Sequence, residues 1–202
     1  MSPQTTLLLG AKYAILRSEF RLNSSTQRSF PPVARKILVT MGGADSTGAT
    51  YIVVEALHKA QEAIGIAWSE PLEGVVVAGP YMTEYSKLQS ATAPSSIKLR
   101  VEATPNNLGE LMSWADVAVS AGGTTSLELA HMGVPAILLA LAENQKALVS
   151  HLVDKGIAKA PKEPTSTKDL ARDLVVLGLI AERARHAAAA GATLCHLTAR
   201  PL

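Results

Sequence analysis

Between residues 36 and 156, short unbroken apolar runs alternate with stretches of helical spacing. The runs are KILVTM (36–41), GVVVAG (74–79), IKLRV (97–101), DVAVSA (116–121) and PAILLA (135–140). Helical spacing follows at 49–63, 82–90, 107–115, after GGTTS at 122–126, and at 144–156. A strand wetted on one side alternates apolar and polar residues, whereas a strand covered on both sides is apolar throughout. The pattern therefore predicts an α/β, Rossmann-like, doubly wound parallel sheet with right-handed crossovers. Hydrophobic residues make up 48% of the 202-residue chain, enough to bury both faces of such a sheet.

Two segments flank this pattern. The apolar stretch LLLGAKYAILRSEF (7–20) needs a partner surface, yet a polar linker over 25–35, with Pro31-Pro32 forbidding helix, separates it from the first strand. The expected divisions are 1–24, the linker 25–35, a sheet domain over 36–164 and a helical tail over 165–202. In the tail, Thr165 or Ser166 could cap a helix and Gly178 could break it. A net charge of +2 with no dense basic stripe argues against nucleic acid. The longest apolar run, VPAILLALA (134–142), falls far short of the roughly 20 residues a membrane helix needs, so no membrane partner is expected. The opening MSPQTTLLLG is a poor signal peptide, and the single Cys195 excludes an internal disulfide framework, so a cytoplasmic setting is expected.

In an open parallel sheet, ligands bind beyond the carboxyl ends of the strands. Gly42-Gly43 and Gly122-Gly123 lie at two such ends. Glycine there lets backbone N–H groups approach an anion beside a helix N-terminus, with hydroxyls from Ser120, Thr124 and Thr125; the same residues also suit a plain tight turn. Glu128 shares a helix face with Thr124 and Thr125. It could accept two hydrogen bonds from a ribose, or sit on the surface near the helix dipole. Asp45 could hold a ligand hydroxyl or cap the next helix, and capping is the commoner role. Glu143, Asn144 and Gln145 follow the fifth strand, where amides suit sugar hydroxyls and acetamido groups. His58, His131, His151, His186 and His196 show no metal-ligand spacing with a third partner, and no general base or nucleophile stands out, so neither metal nor cofactor is expected.

The stretches LLLGAKYAILRSEF, ILVTMGGADSTGAT, LGELMSWADVAVSAGGTTSLELAHMGVPAILLALAENQ and LVDKGIA together resemble the C-terminal half of the UDP-2,4-diacetamido-2,4,6-trideoxy-β-L-altropyranose hydrolases of pseudaminic acid biosynthesis. Those enzymes are similar in turn to GT-B glycosyltransferases. The resemblance covers roughly residues 7 to 160. It implies the UDP-binding domain of a two-domain fold. Gly42, Gly43 and Asp45 would lie near the phosphates or cleft wall, and Ser120, Gly122, Gly123, Thr124 and Thr125 would hold the diphosphate. Glu128 would take the ribose hydroxyls, Asn144 and Gln145 would face the sugar, and Asn144 would be the contact nearest the reaction centre. Backbone groups around Thr104 to Leu108 would meet uracil, although Pro105 has no N–H to donate. The histidine expected as catalytic base belongs to the family's N-terminal domain, and residues 1–24 match the segment after it. The implied partners are UDP or a UDP-sugar and a separate chain carrying that domain; alone, the chain would bind UDP without hydrolysing the sugar–nucleotide bond. The alternatives are a half of a GT-B glycosyltransferase and a non-catalytic nucleotide-sugar-binding module.

Overall fold

In the computed structural model, residues 13–23, 31, 33–43, 45–64, 71–93, 97–161 and 166–179 are described. Six parallel strands form one sheet in the order β3-β2-β1-β4-β5-β6. They are β1 (Lys36–Thr40), β2 (Glu73–Ala78), β3 (Lys98–Ala103), β4 (Val117–Ala121), β5 (Ala136–Leu139) and β6 (Ala158–Lys159). The helices are α1 (Ser18–Asn23), α2 (Ala49–Ile64), α3 (Tyr85–Ala91), α4 (Leu108–Trp114), α5 (Thr124–His131), α6 (Glu143–Asp154) and α7 (Thr167–Leu179). The chain steps outward from β1 to β3, returns to pair β4 with β1, then steps outward the other way. This is the doubly wound sheet expected from the alternation, and its switch point lies between β1 and β4.

The unbroken apolar runs divide by period two between the faces. Val39, Val76, Val119 and Ile137 pack with Val53 and Leu57 of α2, Leu88 of α3 and Leu170 of α7. Leu38, Val75, Ala118 and Leu138 pack with Phe20 of α1, Met112 of α4, Leu129 of α5 and Leu152 of α6. Neither face of the four central strands β2, β1, β4 and β5 meets water, which is why they carry no polar alternation. The edge strand β3 departs from the expected unbroken run: Lys98 and Arg100 are exposed while Leu99 and Val101 are half-buried. β6 was not expected. Its two residues become a strand only through pairing with Ala136 and Ile137 of β5.

The described end of the apolar N-terminal segment finds a partner surface in this same chain at Phe20, while Tyr13 and Ile15 stay exposed. Phe20 is fully buried among residues of α4 and α5, and its carbonyl oxygen lies 3.2 Å from Nε2 of the buried His131. At the other end, Ser166 caps α7: its Oγ accepts from Asp169 N–H at 3.0 Å and lies 2.6 Å from Asp169 Oδ2. Gly178 does not break α7, which runs through it. Most of the linker and the tail beyond residue 179, with His186, Cys195 and His196, lie outside the described residues.

Candidate nucleotide-binding cleft

At the switch point, beyond the carboxyl ends of β1 and β4, lies a cavity of about 360 Å³. Gly42 and Gly43 form one wall, Thr124, Thr125 and Glu128 another, and Thr104, Pro105 and Leu108 a third. Gly42 sits at φ 81°, a left-handed conformation that turns the chain sharply out of β1. Gly79, at the end of β2, closes the floor. A Cβ there would fall 2.6 Å from the carbonyl oxygen of Gly43 and closer still to that of Gly42, so only glycine allows the two loops to touch. Thr104 holds φ 42°, a conformation that costs a non-glycine residue about 1–3 kcal/mol and that recurs at ligand-binding walls.

The two glycines after β4 have different physical reasons. Gly122 N–H is spent on the carbonyl of Leu139 at 2.9 Å, and a Cβ on Gly122 would run into the Val149 side chain of α6. Its glycine serves close packing. Gly123 faces open space and is the N-cap of α5, with no side-chain cap. Thr124 and Thr125 N–H groups, in the first turn, have no acceptor among the described residues. That helix end offers unpaired donors and the positive end of a dipole to the cavity.

Glu128 is buried within the cavity wall, with its side chain 7% exposed. Arg17, from the N-terminal segment, grips it with a two-pronged ion pair: Nε donates to Oε1 at 2.8 Å and Nη2 to Oε2 at 2.9 Å. The hydrogen bonds to Glu128 raise the guanidinium pKa further, while partial burial opposes this, so Arg17 stays charged. Among the described residues, these two are the charged ones that line the cavity.

Other expected site residues lie elsewhere. Ser120 is fully buried and donates its hydroxyl to the Ala121 carbonyl at 3.2 Å, away from the cavity wall. Asp45 caps α2: its carboxylate accepts from Ala49 N–H at 2.9 Å, Thr50 N–H at 2.6 Å and the Thr47 hydroxyl at 3.1 Å. Burial pushes the Asp45 carboxyl up, and the hydrogen bonds from Thr50, Ala49 and Thr47 outweigh it, leaving its pKa below the ordinary value. Asn144 is exposed in the first turn of α6, and Gln145 Oε1 accepts from Leu141 N–H at 2.9 Å. Neither lines the cavity. Arg17 and Gly79 were missed from sequence. A Gly-Pro pair directly after a strand was the signal for Gly79; nothing local signals a contact 111 residues away. No group of three metal-binding side chains is present among the described residues.

The family described as the glycosyltransferase family 28 C-terminal domain matches residues 37–193. An uncharacterized protein of Methanocaldococcus jannaschii is 28% identical over 166 residues, covering 80% of this chain and 32% of its own length. The spore coat polysaccharide biosynthesis protein SpsG of Bacillus subtilis is 25% identical over 162 residues, covering 76% of this chain and 43% of its own length. This chain thus spans less than half of each relative. Among solved structures, Acinetobacter baumannii MurG superposes with a TM-score of 0.64 at 18% identity, over 93% of this chain and 51% of that one. The Streptomyces sp. SF2575 glycosyltransferase SsfS6, complexed with thymidine diphosphate, gives 0.55 at 17% identity, over 87% and 40%. At these identities the structures are evidence of a shared fold.

Proposed function

The chain belongs to the glycosyltransferase family 28 C-terminal domain family, and from that membership we propose that it is the nucleotide-sugar-binding half of a GT-B glycosyltransferase. The observation that carries the reading is the joining of an uncapped helix N-terminus and a buried carboxylate in one cavity at the switch point. The N–H groups of Gly123, Thr124 and Thr125 bind the diphosphate, where the α5 dipole favours negative charge. Glu128, one turn further along the same helix face, accepts hydrogen bonds from the ribose 2′- and 3′-hydroxyls. The loop of Thr104, Pro105 and Leu108 takes the base, with UDP the expected nucleotide. Asn144 and the Gln145 amide N–H groups, in the first turn of α6 beyond the cavity wall, are left for the sugar. SsfS6, whose structure carries thymidine diphosphate, supports a nucleoside diphosphate as the ligand class.

The hydrolase expected from the sequence gives way to the transferase as the main reading, because the family match is to glycosyltransferase domains. The chemistry needs a second substrate surface opposite this cleft. The domain by itself is expected to bind nucleotide and to turn over little, since one wall of a cleft cannot orient two substrates.

Calorimetric titration with UDP, using CMP and ADP as controls, tests the reading. Selective saturable binding is expected, weakened about tenfold or more in Glu128→Ala through loss of charge-assisted hydrogen bonds. Full affinity in a folded Glu128→Ala variant would remove the ribose role. In an assembled enzyme, release of UDP that requires an acceptor marks a transferase, and release to water marks a hydrolase.

A further inference from the structure

The two oxygens assigned to the ribose are already taken by Arg17. We infer that Arg17 is an internal competitor, a latch on Glu128 that a ligand with vicinal hydroxyls must displace. The inference rests on the ribose role of Glu128 and adds a step that this role does not contain.

The geometry decides which partner moves. The Glu128 side chain is 7% exposed and projects from a helix packed on the sheet, whereas Arg17 is 51% exposed. Both prongs of the guanidinium are engaged and the Glu128 side chain is nearly enclosed, so the lone pair left on each oxygen is shielded from a ribose while the fork is closed. Arg17 has another place to rest. Its Nη1 lies 3.1 Å from Glu19 Oε1, and its guanidinium carbon lies 4.8 Å above the Phe20 ring. Phe20 is buried and tied to His131, so the backbone of α1 stays in place while the side chain swings. An ion pair with one half-exposed partner is a weak latch, and opening it should lower ligand affinity by only about three- to tenfold.

The latch acts only on ligands that compete for Glu128, so it couples Arg17 to the ribose hydroxyls. Titrating wild type and Arg17→Ala with UDP and with its 2′,3′-dideoxy analogue measures that coupling. The expected result is a three- to tenfold gain for UDP in the variant, with the dideoxy analogue unchanged. Arg17→Lys keeps the charge without the fork; it should shift UDP in the same direction by less, and it carries the test if the alanine variant does not fold. Equal shifts for both ligands would show that Arg17 acts through the field of the cavity, which overturns the latch. Unchanged or weakened UDP binding in both variants also overturns it, while selective UDP binding by the wild type leaves the nucleotide reading standing. Failure of the wild type to bind UDP overturns both.

Discussion

Two glycines near the cleft answer to different constraints, and the same substitution separates them. An alanine at Gly79 would push its Cβ into two backbone carbonyls that cannot rotate away, so Gly79→Ala should cost about 1–3 kcal/mol or more. Gly123→Ala meets nothing within 4 Å and should cost about 1 kcal/mol or less, the loss of a glycine N-cap. Urea unfolding of the two variants checks the contrast. Asp45 makes a prediction in pH. Its folded-state pKa is depressed, so its contribution is present at neutral pH and is lost as pH falls through that depressed value. Asp45→Asn should be about 0.3–1 kcal/mol less stable at pH 7, and the gap should close on acidification below the ordinary carboxylate range. A gap that persists at low pH would mean that shape, not charge, makes the cap. From sequence, Gly123 was legible as a strand-end glycine, and Gly79 was missed at the end of its apolar run. Their difference was not legible, because it depends on which loop lies across from each.

Element by element, what the sequence revealed follows how local each cause is. β1, β2, β4 and β5 owe their unbroken apolar character to burial on both faces, and that character is written in consecutive residues. β6 has two residues and no pattern of its own; pairing with β5 makes it a strand. Ser120 was assigned to the cleft because it sits near the end of β4, yet it is still inside the strand, on the face that Ala118 and Leu138 share with α5 and α6. Counting by two along β4 would have turned it inward. The end of α6 depends on Gly156 at φ 67°, whose N–H meets the Val153 carbonyl at 2.8 Å while Ile157 N–H meets that of Leu152 at 2.9 Å. This left-handed closure turns the chain into β6. Gly156→Ala should cost about 1–2 kcal/mol in thermal or urea unfolding, with the switch-point cavity intact.

For the whole molecule, the cavity is made by chain segments distant in sequence: the N-terminal segment, the ends of β1 and β2, the β3–α4 loop and the start of α5. A ligand there bridges them all and exists only on the folded form. UDP at about 100 times its dissociation constant should therefore raise unfolding stability by about 2.7 kcal/mol, and thermal unfolding with and without UDP measures it. An unmoved midpoint would argue against the site. The alternation of runs made the sheet legible, but the Arg17–Glu128 pair spans 111 residues and could not be read from spacing.

The strand order also dictates when this site can exist at all. β1 pairs on one side with β2, about 37 residues on, but on the other with β4, about 80 residues on, as in Ile37 beside Val117. Closing the longer loop costs little extra entropy at equilibrium, but such distant pairings are slow to find. A nascent chain can zip β1, β2 and β3 into half a sheet while its future cleft wall is still being synthesised. The pocket thus waits on the joining of β4 to β1, and a ligand that fills it would report that the two halves have met.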